Sequence, residues 1–117
     1  MAAPNIVNVS TIIGKTAVQA IGTSATAIVT NAGSSGKVLK VNALYVSNVD
    51  GTNNAELTLD LYRSSTAYRL ANTVVVPADA TLDVVSKSIY LEEGDSLRLT
   101  ANATGDLEAV CSYEEIS

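Results

Sequence analysis

The sequence predicts an all-β fold: a single antiparallel β-sandwich, of jelly-roll or immunoglobulin-like type, with little or no helix. Three observations carry this expectation. Apolar and polar residues alternate over short runs, most clearly where Leu57, Leu59 and Leu61 oppose Glu56, Thr58, Asp60 and Tyr62, the two-residue period of a strand with one wet face. Such runs recur at short spacing, divided by clusters of Gly, Asn, Asp and Ser. Nowhere does a helical apolar period persist. A length of 117 residues suits one domain around one core.

Taken in order, residues 1–15 read as an extended N-terminal arm and 16–117 as the sandwich. Pro4 and its small neighbours favour an extended start, while Ile6, Val7, Val9, Ile12 and Ile13 are too apolar to be left in water. The arm is either an edge strand of its own sheet or a reach onto a neighbouring subunit by strand addition. Residues 15–21 and 24–30 are β-prone, and 31–36 form a loop. Residues 37–49 make the longest strand, whose apolar phase jumps between Val41 and Leu44, so a bulge near Asn42 and Ala43 is required to keep both halves on one face. The Asp50–Gly51 pair marks a hairpin connection. A strand over 55–62 turns at Ser64 and Ser65 and returns over 67–70. A separate short run, 73–76, is stopped by Pro77. Strands are also expected at 82–85, 88–91, 96–103 and 107–113, the last three joined by tight turns at 92–95 and 104–106. These closing strands are expected to act as a local folding centre, because their contacts are near in sequence.

Composition narrows function mainly by exclusion. Charged residues are only 16% of the chain, against roughly 25% in an ordinary globular protein. Ser, Thr and Asn take their place, a surface suited to being covered by partners rather than kept soluble by charge. Net charge is −5, with scattered lysines, so no basic patch is offered to nucleic acid. No stretch approaches a membrane span, and the N-terminus lacks a signal-peptide pattern; synthesis in a cytosol-like setting is expected.

No chemistry is visible. There is one cysteine, Cys111, and no histidine, so neither a zinc cluster nor an activated thiol can be assembled. Gly14-Lys15-Thr16 lacks the spacing of a phosphate loop. Asp50, Asn53 and Asn54 lack the ordered spacing of a calcium loop. Asn8 and Asn102 match the glycosylation pattern by chance as readily as by design. The expectation is a non-enzymatic protein without cofactor or metal.

Three segments carry a resemblance: GKVLKVNALYVSNVDGTN (36–53), VVVPADATLDVVSKSIYLEEGDSLRLTA (74–101) and the ending CSYEEIS. Together they resemble small structural proteins of tailed bacteriophages, including marine cyanophages. The resemblance implies a virion β-sandwich without an active site, acting by contact in many copies. Its first form would be a capsid decoration or cement protein on the head surface, homo-oligomeric and trimeric for preference, bound to the major capsid protein or other virion proteins and made in the host cytoplasm. A tail, neck or fibre-associated module is the alternative, and a carbohydrate- or receptor-binding sandwich a further one. Candidate partner-contact residues are Ile6, Val7, Val9, Ile12 and Ile13 of the arm, with Tyr45, Tyr62 and Tyr68 from the sandwich; a tyrosine's apolar body and polar tip suit a half-dry contact.

Overall fold

The computed structural model describes residues 4–117. Nine strands run β1 (Ile12–Ala20), β2 (Thr26–Thr30), β3 (Val38–Asn48), β4 (Ala55–Arg63), β5 (Thr66–Val76), β6 (Thr81–Asp83), β7 (Ile89–Leu91), β8 (Ser96–Ala101) and β9 (Leu107–Ile116). The described residues contain no helix. One sheet, sheet A, has the order β1-β9-β3-β6, with β7 also pairing β3; the other, sheet B, has the order β2-β8-β4-β5. Every pairing is antiparallel. With β6 and β7 taken as one interrupted strand, this is the eight-strand, double Greek-key order of a jelly roll. The all-β sandwich expectation is met.

The core lies between the sheets and is aliphatic. Leu44, Val46, Leu57, Leu59, Leu91, Leu97, Leu99 and Leu107 are fully enclosed, each contributing roughly 1.5–3 kcal/mol by leaving water. Their spacing gives the reason: the alternating residues of β4 and β8 point into the same space as those of β3 and β9. The bulge expected in β3 falls between Val41 and Ala43, where the register with β9 shifts; both Val41 and Leu44 therefore reach the core.

Several expectations are corrected. The closing strands do not pair with one another, because β8 lies in sheet B between β2 and β4 while β9 lies in sheet A between β1 and β3. Turns of this length cross between the two sheets here instead of closing hairpins. Residues 66–76 are one strand, not two: two register shifts against β4 and a positive φ of 47° at Thr73 absorb the irregularity that reads as a break. Conversely, the strand expected over 82–85 ends at Asp83. Asp60 is not on a wet face but buried, because Arg98 on the neighbouring strand reaches it at 2.9 Å. The first strand, β1, begins at Ile12 and runs antiparallel to β9.

Buried asparagines pin both ends of the sandwich. The Asn31 side chain donates to the carbonyls of Lys37 and Leu91, at 2.9 and 3.0 Å. The Asn48 side chain donates to those of Asn53 and Val76, both at 2.9 Å. Each therefore ties a loop carbonyl to the carbonyl at the end of a strand, Leu91 of β7 or Val76 of β5, giving buried acceptors a partner.

Candidate functional site

Three carboxylates, Asp95, Glu115 and Asp50, are engaged in holding the fold, and the one thiol is buried. Asp95 is buried and accepts from the Arg63 guanidinium at 2.8 and 2.6 Å and from the Glu92 backbone N–H at 2.8 Å. The Arg63 hydrogen bond is the main reason its carboxyl sits below the ordinary range. This locks the turn over 92–95, whose Gly94 has φ +91° and so favours glycine, onto the hairpin end of β4. Glu115 is held low in the same way by the ammonium groups of Lys15, 2.9 Å away, and Lys37, 3.0 Å away. Asp50 accepts from the backbone of Thr52 and from Asn53 within its own loop, and is thereby lowered too. Burial pushes the Cys111 thiol up to about 11, the opposite of an activated nucleophile. No group of three or more His, Cys, Asp or Glu side chains among the described residues is placed to hold a metal. No described helix is long and apolar enough to cross a membrane.

What sheet A presents instead is an outward apolar row. Val18 of β1 lies opposite Val110 of β9, which lies opposite Tyr45 of β3. Because the inward residues of these strands are Ala17, Ala109, Cys111, Leu44 and Val46, the alternation sends these three to the outer face. They are 74%, 43% and 45% exposed respectively. Beside them, Val18, Gln19, Ala20, Glu108, Ala109 and Val110 line an open concavity of about 320 Å³. Ile12 and Ile13, further along β1, are also exposed.

The sequence-derived contact residues thus separate into groups. Ile12, Ile13 and Tyr45 belong to sheet A. Ile6 and Val7 precede it and are exposed, while Val9 is half-buried. Tyr62 and Tyr68 lie on β4 and β5 of sheet B, away from the row. Tyr68 is exposed, but the Tyr62 ring is covered on one face by the Arg98 guanidinium, 3.9 Å from its centroid, a cation–π contact. Val18 and Val110 were absent from the candidate set. The signal for Val110 was present: if Leu107, Ala109 and Cys111 point inward, a valine between them points out.

No protein-family model matches the chain, and no curated protein does either. Among solved structures it is similar to a chain of the Bacillus endospore appendages, which form a novel family of disulfide-linked pili. The two share 17% identity over 92% of this chain and 88% of that one, at a TM-score of 0.53. It also matches two structures of a pentameric capsid protein isolated from metagenomic phage sequences, at 19% identity and a TM-score of 0.42 over 98% of this chain. The chain spans 64% and 65% of the length of those capsid proteins. The likeness to the pilus chain is one of fold, and that to the capsid proteins is too loose to bear on function.

Proposed function

We propose that this chain is a non-enzymatic structural protein of a tailed-phage virion that works by contact, and specifically a capsid decoration or cement protein binding the outside of the head. The observation that carries the reading is the outward row Val18–Val110–Tyr45 on sheet A. Apolar residues set side by side across three strands mark a surface built to be covered, whereas isolated ones would need no explanation. The low charged fraction supports the same reading, as do the three segments that resemble virion proteins. The pilus chain, similar in fold, belongs to an assembly of another kind. Linkage by disulfides, as in those pili, is not open to this chain, because its single cysteine is enclosed in the core.

The mechanism is summed burial. A contact of ordinary size covers roughly 800 Å² on each partner, and repetition over a shell multiplies a modest interaction. The partners would be the major capsid protein and further copies of the chain, assembled on particles formed in the host cytoplasm. Electron cryo-microscopy of purified particles tests this directly. Copies distributed over the whole shell are the expected result. Copies confined to one vertex would replace the head with the tail or neck as the site, and absence from the particle would overturn the proposal.

A further inference from the structure

The four sheet edges of this molecule are not alike. β2 is five residues long and its pairing with β8 is irregular. β5 is bulged twice. The fourth strand position of sheet A is broken into β6 and β7. Short strands, bulges and interruptions are the devices by which an exposed edge avoids pairing with another chain. β1 has no bulge, break or proline: nine residues run in unbroken register with β9, seven of the nine are exposed, and its one charge, Lys15, is paired with Glu115.

The backbone hydrogen bonds show which of its groups are unpartnered. Thr11 and Ser117 exchange both backbone bonds, each at 2.9 Å, and Ile21 donates to Leu107 at 2.9 Å. In an antiparallel pair such positions alternate with positions whose groups point away. The odd-numbered residues of β1 therefore bond β9, and Ile12, Gly14, Thr16, Val18 and Ala20 turn their N–H and C=O groups outward. Among the described residues, none of these outward groups has a backbone or side-chain partner.

We propose that β1 is a homodimerisation edge, pairing antiparallel with β1 of a second copy about a two-fold axis at Thr16. That register sets Ile12 against Ala20, Gly14 against Val18 and Thr16 against itself, so every outward group meets an outward group. Val18, the most exposed residue of the apolar row, comes to lie beside a position with no side chain, around which there is open space. The rows of the two copies then flank one another on the same face of a continuous sheet.

Charge selects a second copy in this orientation. The loops at one end of the sandwich and the strand ends beside them carry Asp50, Glu56, Asp79, Asp83, Asp106 and Glu108 and no base, so the net charge of −5 is concentrated there. Parallel pairing would set two acidic ends side by side. Antiparallel pairing holds them apart by about the length of the strand, roughly 30 Å, beyond the reach of ~8 Å at physiological salt. The only charged residue in β1, Lys15, is already neutralised by Glu115.

This inference rests on the contact reading above and names a partner for it. Sedimentation equilibrium of the full chain tests it through charge reversal at the axis. Wild type is expected to show a concentration-dependent dimer. Thr16→Glu and Thr16→Lys each place like charges opposite one another and should weaken the dimer about tenfold or more, with unchanged far-UV circular dichroism. Mixing the two variants should restore it. A wild type that stays monomeric at every concentration, a trimer, a dimer indifferent to Thr16→Glu, or a mixture that stays monomeric would each overturn the pairing. A monomer that still decorates particles would leave the proposed function standing, and a dimer absent from particles would do the reverse.

Discussion

At the scale of single residues, acid sensitivity lies in three lowered carboxylates, of which Asp50 is held by donors of its own loop and the other two by cations from elsewhere in the fold. Asp95 and Glu115 are held below their ordinary range by Arg63 and by Lys15 and Lys37. A carboxyl lowered in the folded state adds stability that is present above its unfolded value, about 4, and is lost as pH falls through the lower folded value. With no histidine in the chain, no imidazole introduces a step between about pH 5 and pH 8. On the alkaline side Cys111 acts in the opposite sense. Its thiol is raised from 9.0 to about 11, so the unfolded chain ionises first and stability falls as pH rises through that interval. Urea midpoints plotted against pH are expected to form a plateau with a fall on each side. Asp95→Asn should lower the plateau by about 2 kcal/mol, near the net value of charge-assisted hydrogen bonds, and make the acid-side fall shallower. An acid limb of unchanged steepness in the variant would remove Asp95 from this role.

At the scale of elements, the hairpin between β4 and β5 shows local chemistry yielding to topology. Arg63 pairs with Thr66 across two residues, Ser64 at φ 52° and Ser65 at φ 62°, a mirror-image turn that suits Asn-Gly better than Ser-Ser. Replacing the pair by Asn-Gly is expected to stabilise the protein by about 1 kcal/mol, read as a rise in the thermal midpoint without change in the far-UV spectrum. The turn was legible in the sequence because a serine pair between two apolar runs favours a turn, and the β3 bulge was legible because a misplaced phase has only one cheap repair. The continuity of β5 was not. Asn72 and Thr73 look like a stop, and only the partner strand β4 holds them in a bulge, Thr58 accepting from the Thr73 N–H at 3.2 Å. Asp60 was misread for a related reason: its partner Arg98 is distant in sequence, and an alternating pattern carries no record of an ion pair across strands. The candidate surface divides in the same way, with Tyr45 found from its type and Val18 visible only once β1 is placed at an edge.

At the scale of the whole molecule, the jelly roll joins its first strand to its last. β1 pairs with β9, as Thr16 opposite Ser112 illustrates, and the final Ser117 exchanges hydrogen bonds with Thr11. Sheet A thus closes only when β1 and β9 have met, which makes folding depend on non-local pairing instead of on a local nucleus in the closing strands. The same closure decides how the N-terminal segment can be tested. Removing residues 2–13 would delete the start of β1 and the Thr11–Ser117 exchange, confusing loss of contact with loss of fold. Removing residues 2–9 leaves both in place while deleting Ile6, Val7 and Val9. This shorter truncation is expected to keep the thermal midpoint within a few degrees, as surface changes of about 0.5 kcal/mol do, and to bind particles more weakly than the full chain in a co-sedimentation assay. Full binding by the truncated protein would confine the contact surface to the apolar row and the β1 edge. Loss of binding with the fold retained would extend that surface along the segment leading into β1, making the free edge and the residues before it one continuous surface.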